Sequence, residues 1–142
     1  LKALGSCEVL AVPGGPSTFR GRGGVIASLA IPAERFARVV HPRAVVSRLA
    51  TVGHNVLLMA GVVVTSNAVI GNHVCVLPNT VIHHDASIGD YSLIGSNVTV
   101  AGGVRIGANV YVGSGTSIRN GITVGDGALV GLGSRVVRDV PP

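Results

Sequence analysis

The hydrophobic pattern of the chain is one six-residue rhythm that runs from Val40 to Val136 without a break. Every sixth residue is Val, Ile or Leu, seventeen times in succession, and two positions earlier in each hexad, from Ala44 to Ser134, stands a small or β-branched residue. A period of six with two such columns is typical of a parallel β-helix, in which short strands stack coil on coil and bury an aliphatic interior together. The aliphatic column is Val40, Val46, Val52, Leu58, Val64, Ile70, Val76, Ile82, Ile88, Ile94, Val100, Ile106, Val112, Ile118, Val124, Val130 and Val136.

The residues between the strands indicate sharp corners. Gly directly follows the aliphatic residue in eight hexads, and two residues further on stands Asn, Gly or Asp in thirteen of the seventeen. These residue types tolerate a positive φ, so both positions predict turns. Three hexads a turn give coils of about 18 residues, hence between five and six coils. No hexad carries an insertion, so function is expected on the coil surface or between chains.

Residues 1–39 do not keep the rhythm and are expected to form a separate N-terminal segment, followed by a β-helix domain over residues 40–142. Residues 7–12 predict a short strand, residues 13–17 a loop, and residues 25–30 either a helix or a strand. The segment alone is too small for a core. It either packs on the first coil or is the remnant of a larger α/β domain.

Outward positions predict two apolar stripes on neighbouring faces of the β-helix. Two such stripes suit a ring of identical subunits, in which each copy presents a different patch to each neighbour. The first stripe is Leu57, Cys75, Leu93, Tyr111 and Leu129, and the second begins with Val45, Val63 and Val81.

Composition narrows the function classes. The two cysteines, Cys7 and Cys75, are too few for a disulfide framework and are expected to be free thiols in a reducing cytoplasm. No apolar run reaches membrane-spanning length and no signal sequence opens the chain, so no membrane association is expected. The formal net charge is +5, but the arginines are scattered and no aromatic platform accompanies them. This pattern favours a polyanionic small molecule over nucleic acid.

Histidines are the candidate reactive groups of the coils. A metal held by three histidines is one possibility, but His54, His73 and His84 fall on different corners or levels, so no metal site is predicted. His54 and His73 are expected to be solvated corner residues.

His84 differs because Asp85 follows it, and a carboxylate can orient an imidazole and stabilise its protonated form. Gly102 lies one coil further on and offers a backbone N–H to a developing oxyanion. The alternative is that Gly102 and Gly103 only make a tight corner.

The hexads, the opening of residues 36–44, the His84–Asp85 corner and the turn at residues 101–103 resemble the left-handed β-helix acyltransferases of the sialic-acid O-acetyltransferase and bacterial sugar N-acetyltransferase family. The resemblance covers residues 36–142. It implies an all-β fold with a left-handed coil, a homotrimer, and acetyl-CoA in the groove between subunits. The family's N-terminal nucleotide-sugar-binding half, with its glycine-rich first turn, is not found in this chain, and residues 1–39 could be a remnant of it.

By this resemblance His84 is the general base, Asp85 its partner, and the Gly102 amide the contact for the thioester carbonyl. The family often has an acidic residue before this histidine, where this chain has His83. His84, Gly102 and Asn120 follow one another at intervals of 18 residues, and Arg119 and Arg138 flank this column. With Gly102 and Gly103, Asn120 and the two arginines are the candidate CoA contacts, although both arginines could equally be solvated corner residues.

The expected activity is acetyl-CoA-dependent transfer to an amino or hydroxyl group of a sugar, nucleotide-linked, in surface polysaccharide biosynthesis. One alternative is O-acetylation of a small hydroxy acceptor such as serine. The other is a non-catalytic scaffold, since solenoids often serve as assembly surfaces.

Overall fold

The computed structural model describes residues 7–142 and shows, within them, seventeen short strands stacked into three parallel sheets. One α-helix, α1 (Arg22–Ser28), and two 3-10 turns, Phe19–Gly21 and Ala33–Arg35, precede the coils. The first sheet comprises β1 (Arg38–Val40), β4 (Val56–Leu58), β7 (Cys75–Val76), β10 (Leu93–Ile94), β13 (Tyr111–Val112) and β16 (Leu129–Val130). The second comprises β2 (Val45–Val46), β5 (Val63–Val64), β8 (Val81–Ile82), β11 (Thr99–Val100), β14 (Ser117–Ile118) and β17 (Arg135–Val136). The third comprises β3 (Thr51–Val52), β6 (Val69–Ile70), β9 (Ser87–Ile88), β12 (Arg105–Ile106) and β15 (Thr123–Val124).

Each strand pairs with the strand three further along the chain. Leu93, for example, lies between Cys75 and Tyr111, so the register places residues of successive coils directly above one another. Two sheets have six strands and the third has five within the described residues, which confirms the predicted number of coils. We call the turns from first to second sheet the first corner, from second to third the second corner, and from third to first the third corner.

The two predicted columns form the core. The aliphatic residues from Val52 onward are buried, whereas Val40 is 40% exposed because no coil lies beneath it. Three hydroxyl residues of the small column, Thr80, Ser92 and Thr116, are buried yet hydrogen-bonded. The Thr80 hydroxyl, for example, donates to the Gly95 carbonyl at 2.7 Å. It also accepts the Val98 amide at 3.1 Å, so it links two coils.

Of the two corner positions predicted to have a positive φ, only the second one does. The third residue after the aliphatic one has φ between 51° and 73° in every hexad from Asn55 to Gly133, and even His73 and Tyr91 adopt this conformation. The glycine directly after the aliphatic residue does not. A β-carbon on Gly89, for instance, would lie 2.6 Å from the Ala108 nitrogen in the next coil. Glycine is needed at this position because adjacent coils approach each other too closely for a side chain.

The three corners therefore differ in shape. At the third corner this close-approach position is glycine in successive coils, whereas at the second corner it is occupied by residues with side chains. The second corner thus carries a side chain at this position in every coil. Its residues at this position are Ser47, Thr65, His83, Ala101, Arg119 and Val137.

The N-terminal segment contains less regular structure than its sequence predicts. The strand expected over residues 7–12 is reduced to a single bridge between Val9 and Phe36, because the Ala11 backbone bonds to the Asn55 side chain instead, at 2.7 and 2.8 Å. Residues 13–17 form the expected loop. Of the two possibilities left open for residues 25–30, the helix is correct through Ser28, and Ala30 at φ 49° follows its end. In the described residues no helix is long and apolar enough to cross a membrane.

This segment packs along the first sheet and the third corner, well beyond the first coil. The rings of Phe19 and Tyr111 lie 5.8 Å apart, and the Arg20 side chain donates to the Gly127 carbonyl at 3.2 Å. It covers much of the predicted first stripe, so that Cys75 is only 6% exposed. The segment therefore occupies part of the surface that the sequence assigns to contact with another subunit, whereas Leu129 of the same stripe stays 47% exposed.

Candidate active site

His84 and Asp85 lie at the second corner, directly after β8. Asp85 has φ 59°, the turn conformation of that position, and its side chain bends back toward the preceding residue. The His84 Nδ1 and Asp85 Oδ2 atoms lie 2.8 Å apart, with side chains 59% and 57% exposed. Both residues stand outside the aliphatic columns, so their side chains are free to meet a ligand.

Asp85 has a second partner, Asn67, in the coil below. The Asn67 amide nitrogen donates to Asp85 Oδ1 at 3.1 Å. The hydrogen bond from His84, followed by that from Asn67, lowers the pKa of the Asp85 carboxyl from its ordinary value. An ionised carboxylate only accepts, so the neutral form of the His84 ring that fits this contact has its proton on Nδ1 and its lone pair on Nε2.

Gly102 lies one coil above His84, and the absence of a side chain there is required. A β-carbon would lie 2.7 Å from both Cε1 and Nε2 of His84 and 3.3 Å from the Asn120 amide nitrogen. The backbone of Gly102 is thus enclosed by His84 from below and Asn120 from above, and only glycine leaves room for the imidazole.

Gly102 is buried between its neighbouring coils, and its amide is the candidate donor. At the other corners, the amide at this position is often bonded to a side chain of the next coil, as the His54 amide is to Asn72 at 3.0 Å. Within residues 7–142 the Gly102 amide has no protein acceptor, although the turn is fixed by the Gly103 amide donating to the His84 carbonyl at 3.0 Å. An unbonded N–H near Nε2 can donate a hydrogen bond to a carbonyl oxygen that develops negative charge in the transition state.

The remaining predicted residues lie along the same corner. Gly103 has φ 68° with open space around its α-carbon, and its amide is already bonded, so it shapes the turn. Arg119, Asn120 and Arg138 are exposed in the coils above Gly102. The structure therefore brings His84, Asp85, Gly102 and Asn120 together and places both arginines further up the same edge.

His73 is not a solvated corner residue, contrary to expectation, whereas His54 is half-buried with its ring 6.0 Å from that of Phe36. The His73 ring is 7% exposed, stacks on Tyr91 at 4.6 Å and meets Phe36 edge-on at 5.1 Å. Burial, and then the charge of His54, lowers the pKa of His73. The sequence missed this cluster because the N-terminal segment that covers it lies outside the repeat. Among the described residues, no group of three or more His, Cys, Asp or Glu side chains could hold a metal ion.

Asn67 is the one contact of the dyad that sequence reasoning missed. Its position in the sequence could have revealed it, because it stands 18 residues before Asp85. The coil register therefore places it directly beneath Asp85.

The sequence profile of the bacterial transferase hexapeptide family, which describes six repeats, matches residues 49–84, 67–102 and 85–120. These ranges together span half of the chain, and the chain belongs to this family. Its fold is accordingly the left-handed parallel β-helix, which confirms the predicted fold class and family resemblance.

Solved structures add likeness to particular enzymes. A histidine-to-asparagine variant of perosamine N-acetyltransferase from Caulobacter crescentus, in complex with CoA and GDP-perosamine, is 32% identical with a TM-score of 0.79 over 87% of this chain and 59% of that one. The acetyltransferase domain of PglB from Neisseria gonorrhoeae, in complex with acetyl coenzyme A, is 30% identical with a TM-score of 0.80 over 87% and 60%. WeeI from Acinetobacter baumannii is 25% identical with a TM-score of 0.81 over 88% and 61%. The chain spans about three fifths of the length of each of these proteins. No curated protein sequence matches it.

Proposed function

We propose that this chain carries the acetyl-transfer site of an acetyl-CoA-dependent sugar acetyltransferase, which acts on an amino group of a nucleotide-linked sugar in surface polysaccharide biosynthesis. The observation that carries the proposal is the free Nε2 of an Asp-paired histidine beside the unbonded amide of Gly102. The structural relatives support the substrate class, since one is an N-acetyltransferase in complex with CoA and an amino-sugar nucleotide.

The chemistry follows from these positions. The acceptor nitrogen attacks the thioester carbonyl carbon while His84 Nε2 removes its proton, and the Gly102 N–H stabilises the oxyanion of the tetrahedral intermediate. When this intermediate collapses, the C–S bond breaks, and the imidazolium returns the proton to the departing CoA sulfur. Asp85 holds the required tautomer and stabilises the imidazolium. The product is an amide and free CoA thiol.

CoA is proposed to run upward from Gly102 along the second corner. Gly103 and Asn120 lie next along that edge, and Arg119 and Arg138 stand exposed beyond them. Arginines are suited to phosphates because their hydrogen bonds to these groups are charge-assisted. Acetyl-CoA as donor is consistent with a cytoplasmic reaction.

A homotrimer is proposed, whose contacts include Val45 of the second stripe that the sequence predicts. Exposed apolar residues flank the second corner below the dyad, where Val45 is 63% exposed, Leu49 68% and Val69 46%. Since His84 is itself 59% exposed, a neighbouring subunit against this corner would supply the missing wall of the site. This arrangement would also bury the exposed apolar residues.

The function is tested with two measurements on the unmutated protein. Thermal unfolding with CoA at about 100 times its dissociation constant should show about 2.7 kcal/mol of added stability. Release of free CoA thiol from acetyl-CoA should then be screened over amino-sugar nucleotides, free sugars and serine. Turnover with serine alone would favour the small-acceptor alternative, and absence of any CoA stabilisation would favour the scaffold.

A further inference from the structure

Asn67 and Asp85 occupy the same turn position in successive coils, each with φ 59°. The Asn67 amide holds Asp85 Oδ1 at 3.1 Å, while His84 holds Oδ2 at 2.8 Å. We infer that Asn67 is a positioning residue, which fixes the Asp85 carboxylate and, through it, the orientation and tautomer of the His84 imidazole. The inference rests on the function proposed above and extends it to a residue that touches neither CoA nor acceptor.

The dyad requires such an anchor because it is open to solvent. His84 and Asp85 are 59% and 57% exposed, and an ion pair between exposed side chains is held weakly. A carboxylate bonded through one oxygen only can rotate about its Cβ–Cγ bond and release the ring. Within the described residues Asn67 is the second side chain bonded to this carboxylate. Its bond to the other oxygen opposes that rotation.

The backbone fixes the distance between the two residues. The Asp85 amide donates to the Ser66 carbonyl at 3.1 Å, so the dyad corner is tied to the coil that carries Asn67. Asn67 is itself exposed and lies outside the core columns. Its replacement therefore tests the hydrogen bond and leaves the packing of the β-helix intact.

The positive φ determines which substitutions are informative. Gly at position 67 removes the amide yet adopts this φ without strain, whereas Ala would add backbone strain. Asp nearly keeps the shape of Asn and also tolerates this conformation, but it replaces the donor with a second negative charge. Asn97 is a matched control, because it is exposed, has φ 54° and lies at the first corner, away from the dyad.

In the acetyl-transfer assay, Asn67→Gly should lower kcat on the order of 10-fold. Loss of a hydrogen-bond partner that orients a metal-bound histidine has an effect of this size. KM for acetyl-CoA should stay unchanged, and Asn97→Gly should alter neither. Asn67→Asp should move the acidic limb of the kcat profile to higher pH, because a second carboxylate favours the protonated imidazole.

Nitrogen NMR of the His84 ring gives a readout that does not need turnover. The neutral ring should carry its proton on Nδ1 in the unmutated protein and become a mixture of tautomers in Asn67→Gly. If the Nδ1–H form persists in Asn67→Gly, the inference is overturned. Failure of the unmutated protein to release CoA thiol with any acceptor would instead refute the proposed function, and the tautomer comparison would still decide the role of Asn67.

Discussion

The close contact between Gly102 and the His84 imidazole leads to a quantitative prediction for Gly102→Ala. The added β-carbon would lie 2.7 Å from Cε1 and Nε2, whereas non-bonded carbon contacts are normally about 3.5–4.0 Å. The ring must therefore retreat by about 1 Å. A displacement of this size can reduce turnover about 100-fold, which corresponds to about 2.7 kcal/mol of transition-state stabilisation.

The same substitution should leave the fold intact. The backbone of Gly102 lies outside the left-handed region, and the clashing ring is an exposed side chain that can rotate away. Replacing Gly by Ala at a compatible position stabilises by about 0.4–1 kcal/mol through the unfolded state. The melting temperature of Gly102→Ala should therefore not fall.

Gly103→Ala is the matched control, with the opposite expectation. Nothing lies within 4 Å of its added β-carbon, but φ is 68°, so Ala should destabilise the protein by about 1–2 kcal/mol. Because Gly103 lies on the proposed path of CoA, KM for acetyl-CoA can rise, but kcat at saturating acetyl-CoA should be largely kept. Both variants are compared by initial rates of CoA thiol release and by thermal unfolding. Full turnover in Gly102→Ala, or a loss of stability matching its loss of turnover, would refute the steric argument.

Three further predictions follow from other features. His84→Ala should keep the melting temperature of the unmutated protein and lose about 10²- to 10⁴-fold in turnover rate, while the turnover rate of His83→Ala should stay within a few-fold. The reverse result would show that His83, and not His84, is the general base. Val69→Asp should dissociate the proposed trimer in light scattering and Leu129→Asp, at an equally exposed residue, should not; a monomeric unmutated protein would contradict the assembly. The free energy of unfolding should fall as the pH drops below about 6.5, because burial lowers the pKa of His73 and the unfolded chain binds the proton more readily. His73→Asn should reduce this slope in denaturant melts at pH 5 and 8, and an unchanged slope would exclude His73 as its source.

The β-helix was predictable because its determinants are local and repeated. The aliphatic column alone defines the strands, and the coil register then places Gly102 above His84 without any further information. The relative placement of the candidate site residues could be predicted to the same extent, since they all lie within the repeat. Asn67 could have been found by the same register, had the coil below Asp85 been considered.

The features that could not be predicted depend on residues 7–39, which have no periodicity. Nothing local indicates that Arg22 reaches the His73 carbonyl at 2.6 Å or that Asn55 binds the Ala11 backbone. These contacts change the interpretation of residues within the repeat, since they bury His73 and cover Cys75. The apolar first stripe was identified correctly, but which partner covers it depends on tertiary packing that sequence periodicity does not contain.

The path of the N-terminal segment also limits how the number of coils can change. A solenoid normally gains or loses whole repeats easily, since each contacts only its neighbours. Here the segment meets the coils at Asn55, His73, Tyr111 and Gly127. One extra coil between these levels would keep the hexad pattern but move the upper contacts by about 4.8 Å, out of hydrogen-bonding reach. The contacts of the N-terminal segment thus fix the number of coils between Asn55 and Gly127, the part of the β-helix that contains His84 and Asp85.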